Sequence, residues 1–381
     1  MGATLRKILL GLVFGCLLFP FAQQHFQWFS VTRLRGAYYP AFDATFGFKN
    51  WFSGHYQAQK EKYLNENFGC RNLAVRLHNQ IDFSLFSKVN AKQFVIGKEG
   101  CIYAYGYLDA YSGRDFVGVD SIARRMQRLK FVQDTLQKLN KSLLFVFAPG
   151  KASFYPEYFP DAYSNAAVEN NNYHLHLKEA QKQGLHFIDF NSYFIAQKND
   201  SKYPLHPKNY GIHWSEYGMC LAMDSLVKYF EKDRKTDLPN FYWSATTKAL
   251  ARGQDLDIVA PLNLLYFSNS EMLGYPDLKL QAGEGKSKLR VMGVGDSFYL
   301  RLTEKGFGKA FGRHHFWYYN NTLKEVKMDR NLTLEEEISN CDVLVLMVTE
   351  ANLKDAGWGF VDQAYGLFAR GEKPYYDVMK Q

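Results

Sequence analysis

The residues Gly293-Val294-Gly295-Asp296-Ser297-Phe298 end an apolar run, LRVMGVG, with an acid and a serine. A serine placed directly after a strand, on a tight glycine-containing turn into a helix, exposes its hydroxyl beside backbone N–H groups that can receive an oxyanion. The chemistry this allows is acyl transfer, in which the hydroxyl attacks an ester carbonyl. A serine at its free pKa is almost never ionised, so it needs a proton acceptor within hydrogen-bond reach.

Ten histidines compete for that role. His314 and His315 open a strand and so lie at the wrong end of it, while His174, His176 and His186 lie on or just beyond a helix. His206 stands in a loop shortly before a better candidate. That candidate is His213, in HPKNYGIHWSEYGMCLAMDSL, a loop that follows a strand and enters an amphipathic helix; Trp214 beside it can pack to hold the ring.

Both side chains must be carried by a sheet. From about residue 120 the pattern alternates: a helix from Ser121 to Leu139, the strand SLLFVFAP, a helix from about Asn170 to Gln183, the strand LHFIDF, and a helix from Glu216 to Phe230. The strands LRVMGVGDS, HHFWYYN and DVLVLMVTE follow. Continuous apolar strands between helices predict an α/β fold with a mostly parallel sheet covered on both faces. Ligands bind beyond the carboxyl ends of such strands, which puts Pro149 to Lys151, Asp189, Asp296-Ser297, Asn320-Asn321 and Thr349 to Asn352 on one rim.

The 381 residues leave room for one large domain or two ordinary ones, and an aromatic fraction of 17% with 22% charged residues describes a globular chain. The net charge of +8 is spread among acids, without basic blocks or a nucleic-acid motif, so nucleic acid is not an expected partner. A basic surface suits an anionic polysaccharide or a membrane face. No His/Asp/Cys cluster has ligand spacing, so neither a metal nor a cofactor is called for.

At the N-terminus a basic MGATLRK leads into ILLGLVFGCLLFPFAQQ. Pro20 and Phe21 occupy the places where cleavage after Ala22 needs small residues, so residues 1–29 read as an uncleaved signal anchor, with a signal peptide or a lipoprotein box at Cys16 as alternatives. The chain beyond it is then exported. Residues 30–90 read as a stalk of two amphipathic helices broken at Asn67-Phe68-Gly69. FVIGKEGCIYAY reads as a β-hairpin turning at Gly97 to Gly100, and residues 91–381 as the main domain. Export permits disulfides among Cys70, Cys101, Cys220 and Cys341, although burial as small apolar residues is an equal reading for the last two.

Gly-Asp-Ser after a strand, with His-Trp on an earlier loop, resembles the permuted SGNH hydrolase-like proteins that O-acetylate alginate and related exopolysaccharides in the bacterial periplasm. FVIGKEGCIY is similar to that family's Gly-Lys-Asp-Gly-Trp-Leu-Phe hairpin, and APGKASFYPE to its Pro-x-Lys-x-x-x-Tyr-Pro stretch. The resemblance implies an SGNH-hydrolase-like three-layer sandwich over about residues 50–355. It further implies Ser297 as nucleophile, His213 as general base, and transfer or hydrolysis of an acetyl ester on a polysaccharide hydroxyl. A membrane-bound O-acyltransferase delivering acetyl groups across the inner membrane is the implied partner.

The family usually reads Asp-x-His-Trp, and this chain has Gly211-Ile212-His213-Trp214. Either a dyad works slowly, another carboxylate substitutes, or the domain binds polysaccharide or scaffolds an acyltransferase without chemistry of its own. Glu350 ranks first among substitutes because its strand should lie near the nucleophile's; Asp189 is the alternative. Asp296 suits fixing the elbow better than serving as the acid. The N–H of Ser297, with the side chains of Asn320 or Asn321, would receive the oxyanion, and Lys151 and Trp214 would face the sugar.

Overall fold

The computed structural model describes residues 2–36, 41–163, 170–281, 283–321 and 332–369. The chain forms two compact units, residues 1–92 with 257–268, and residues 93–256 with 269–381.

In the first unit the helix Ala3–Phe26 has 24 residues and a mean hydropathy of 1.9 over its most apolar stretch. It is about 36 Å long at 1.5 Å per residue, long and apolar enough to cross a bilayer core. Helices His55–Asn67 and Arg71–Phe86 follow, parted around Gly69. A Cβ at Gly69 would fall 2.4 Å from the carbonyl oxygen of Pro20, so only glycine permits that approach. Residues 257–268 belong here through polar side chains of the second of these helices: Asn79 donates to the carbonyl of Leu262, and the side-chain oxygen of Gln80 accepts from the amides of Leu265 and Tyr266.

The second unit carries, in chain order, β1 (Phe94–Ile96), β2 (Ile102–Ala104), β3 (Ser142–Ala148), β4 (Phe187–Asp189), β5 (Asn240–Tyr242), β6 (Thr246–Leu250), β7 (Met272–Pro276), β8 (Lys279–Gln281), β9 (Arg290–Gly295), β10 (Arg313–Tyr318) and β11 (Val343–Thr349). β1 and β2 form the expected antiparallel hairpin. The pairs β5 with β8 and β6 with β7 are antiparallel and were not legible in the sequence.

The central sheet has the order β10-β9-β11-β3-β4, and every pairing in it is parallel. Side chains alternate between its faces, as the period of two requires. Leu144, Val146, Val291, Val345 and Met347 pack on one side with Met223, Leu226 and Val227 of helix Glu216–Arg234. Phe145, Phe147, Met292, Val294 and Leu346 pack on the other with Met126, Leu129 and Val132 of helix Val119–Lys138. Both faces are therefore dry, which explains strands that are apolar throughout. β11 runs between β9 and β3, so the carboxyl ends of the three meet at one edge.

Candidate active site

At that edge β9 ends in Gly295 and Asp296 caps the helix Ser297–Lys305. Gly295 is required by packing, since a Cβ there would lie 2.9 Å from Cβ of Tyr299 and 3.1 Å from the carbonyl of Met347. Asp296 is fully buried and accepts four hydrogen bonds. Its Oδ1 receives Phe298 N (3.0 Å), and its Oδ2 receives Thr349 N (2.8 Å), Thr349 Oγ1 (2.8 Å) and Asn352 Nδ2 (3.0 Å). The acid next to the serine thus ties the elbow to the end of β11.

Oγ of Ser297 lies 2.7 Å from Nε2 of His213. The two residues are 84 positions apart in sequence, and both are partly open to solvent. The imidazole packs on the ring of Phe298 at 4.8 Å between centroids.

The loop bearing His213 is held from several sides. Ser215 caps helix Glu216–Arg234 by accepting Gly218 N, while its own hydroxyl donates to Pro204 O and its amide to Leu205 O. The amides of Lys208 and Asn209 donate to the carboxylate of Glu271, and Tyr155 donates its hydroxyl to the carbonyl of His206. Lys151, 1% exposed, donates from Nζ to the carbonyl of Gly211 at 2.8 Å. This corrects the expectation that Lys151 faces a sugar: its charge is turned inward and clamps the loop two residues before the histidine.

Trp214 is also interior, with its ring 5.1 Å from Phe298 and 6.1 Å from Phe190, so it supports the site from behind instead of meeting substrate. Asn320 is buried and gives its amide to the carbonyl of Trp358 and the side chain of Gln363, away from the serine. Asn321 is partly buried, its side-chain amide atoms enclosed without a hydrogen bond. The Asn320 amide is thus spent on residues 358 and 363 and is not offered to an oxyanion.

Glu350 is fully buried and accepts from Ser153 Oγ at 2.7 Å, lying against Gly150. Burial pushes its carboxyl up to about 7. Because β11 lies between β9 and β3, and Glu350 leans over the β3 edge, it does not serve His213 as the sequence suggested. Asp189 caps the helix Phe190–Ala196 through Ser192 N and accepts the hydroxyl of Tyr173.

Asn352, already placed on the rim, and Tyr319, which the sequence did not single out, take roles that were not foreseen. Asn352 closes the hydrogen-bond set of Asp296, and Tyr319 holds its hydroxyl within hydrogen-bonding reach of Ser297 and Asn352. Burial pushes that phenol well above its ordinary range, so it stays protonated and a donor. Tyr319 follows β10 at a positive φ of 47°, a conformation that no residue pattern announces. The five cysteines are free, Cys16 exposed and the others buried. Among the described residues no group of three or more His, Cys, Asp or Glu side chains is placed to hold a metal.

Residues 103–265 match a family model described as the SGNH hydrolase-like domain of acetyltransferase AlgX. Several solved structures are similar to the chain, three of them as follows. The O-acetyltransferase domain of Pseudomonas putida AlgJ is 17% identical, with a TM-score of 0.47 over 72% of this chain and 99% of its own. Pseudomonas aeruginosa AlgX is 12% identical, with a TM-score of 0.45 over 74% and 68%, and Bacillus cereus PatB1 is 12% identical, with 0.45 over 68% and 97%. No curated protein matches. The fold is the SGNH-hydrolase-like α/β sandwich, built on the five-stranded parallel sheet.

Proposed function

We propose that this chain is an O-acetyltransferase or acetylesterase acting on hydroxyls of a cell-surface or secreted polysaccharide, held to the outer face of a bacterial inner membrane by helix Ala3–Phe26. The observation that carries this reading is the 2.7 Å approach of Ser297 Oγ to His213 Nε2 at the carboxyl edge of a parallel sheet. The match of residues 103–265 to an acetyltransferase domain supports the choice of acyl group.

In this mechanism the Ser297 oxygen attacks the acetyl carbonyl and Nε2 of His213 takes its proton. The tetrahedral oxyanion collapses, the donor's oxygen leaves with that proton, and an acetyl ester remains on Ser297. A sugar hydroxyl then attacks this ester and gives its proton to Nε2; the second tetrahedral adduct collapses, its bond to Ser297 Oγ breaks, and Nε2 returns the proton to that oxygen as the acetylated sugar leaves, while water in place of the sugar gives acetate. The helix that starts at Ser297 contributes the N–H of that residue to the oxyanion, because Asp296 already takes the amide of Phe298. The acetyl groups are supplied from across the membrane by a membrane-bound O-acyltransferase.

The test is release of acetate from a chromogenic acetate ester by the full chain in detergent micelles. Ser297→Ala and His213→Ala should each lower turnover by about 10³-fold or more. Parent-like turnover in both variants refutes the mechanism and favours the rival reading, prompted by Gly211, of a domain that binds polysaccharide or scaffolds the acyltransferase.

A further inference from the structure

Gly211 stands where the resembled family has the aspartate that orients the histidine, and the structure shows why an aspartate does not fit. A Cβ at 211 would lie 2.6 Å from Cγ of Pro207, 2.7 Å from its Cβ and 2.9 Å from the carbonyl oxygen of Asp255. The short turn Gly253–Leu256 fills that space. It brings its own acid, because Asp255 is only 4% exposed and lines a narrow cleft together with His213, Trp214, Glu216, Met219, Gln254 and Arg301.

Of the charged groups in this cleft, Glu216 is paired with Lys305, and Arg301 bonds Glu304 at 3.3 Å. Asp255 is the other carboxylate of the cleft. The hydroxyl of Tyr275 accepts Arg252 N at 2.9 Å and hydrogen-bonds the Asp255 side chain, which holds that carboxylate in a set direction. With Nε2 of His213 given to Ser297, the ring's other nitrogen, Nδ1, must carry the proton for Nε2 to act as base.

We propose that Asp255, presented by the turn that replaces a side chain at 211, accepts the hydrogen bond from Nδ1–H of His213 and so supplies the acid missing from its expected place. Asp255 is a positioning residue: it touches neither substrate nor reacting atoms, fixes the tautomer of His213 and stabilises the imidazolium formed when Ser297 loses its proton. The proposal rests on the reading of Ser297 and His213 as nucleophile and base.

The experiment uses the full chain in detergent micelles with ¹⁵N-labelled histidine, His213 being assigned by its loss in His213→Gln. In the unmodified protein Nδ1 should be the protonated nitrogen, its proton far downfield as in a bond to a carboxylate; an ordinary Nδ1–H signal, or protonation at Nε2, overturns the proposal without any variant. Asp255→Asn should move the proton to Nε2, since the new amide donates to Nδ1, and should lower kcat by about 10³- to 10⁴-fold at unchanged KM. Asp257→Asn, two residues on, is the comparison, and it should leave tautomer and kcat as in the parent. An unmoved tautomer in Asp255→Asn, or a moved one in Asp257→Asn, overturns the assignment. Parent-like turnover in Ser297→Ala instead removes the catalytic reading alone, and the tautomer still decides the role of Asp255.

Discussion

Asp296→Asn isolates the joint between the nucleophile elbow and the end of β11. The native carboxylate accepts one donor on Oδ1 and three on Oδ2, all in the interior. Asparagine offers one acceptor oxygen and an amide that only donates. If its oxygen keeps the three donors of Thr349 and Asn352, the new NH₂ faces the amide of Phe298; the opposite orientation sets it against three donors at once. The cheaper arrangement leaves two buried donors opposed, at about 1 to 3 kcal/mol, and weakens three charge-assisted bonds, so the total loss is about 3 kcal/mol. In thermal unfolding this lowers the midpoint by about 5 °C for a domain of this size. Turnover of the acetate ester falls further than the folded fraction, because displacing a reacting group by about 1 Å costs on the order of 10²-fold. A midpoint unchanged within about 1 °C together with turnover within about twofold of the parent would refute the account of Asp296 as the tie that sets Ser297.

Gly211→Asp introduces the residue that the resembled family carries there and should nevertheless harm the protein: the new Cβ meets Pro207 and the backbone of Asp255, so denaturant titration should report a loss of about 1 to 3 kcal/mol with no gain in turnover. Glu350 has a carboxyl raised from 4.5 to about 7, so the folded state holds its proton where the unfolded state has lost it. Stability therefore falls as pH rises from about 4.5 to about 7, by about 3 kcal/mol in all, and Glu350→Gln should flatten that part of the stability–pH curve; an unchanged slope counts against a buried neutral acid.

The main sheet was readable because its strands are buried on both faces and hence apolar without interruption, and their order along the chain gives the rim on which a site must lie. Ser297 and His213 could be paired from residue type and position because the first ends a strand and the second occupies a loop that enters a helix. The errors come from side-chain direction, which spacing does not encode. Lys151 follows a strand, where a lysine is normally solvated, yet its four-carbon stem reaches inward to loop carbonyls contributed by residues about sixty positions on. Glu350 follows the strand beside the nucleophile's, but Asp296 already takes the amide and hydroxyl of Thr349, and the glutamate leans to the opposite neighbour. Asp255 lies in a short turn with no apolar period or glycine-serine signature around it, and only the crowding at Gly211 draws attention to it.

In the proposed mechanism Ser297 is a nucleophile activated by His213. A fluorophosphonate probe tests it most directly, because the phosphorus adduct stays on the attacking oxygen and mass spectrometry of the digested protein reports where it is. A single adduct is expected on the peptide containing Ser297, absent in Ser297→Ala and formed far more slowly in His213→Ala. An adduct on another residue, or labelling of Ser297 at the parent's rate without His213, would contradict this mechanism.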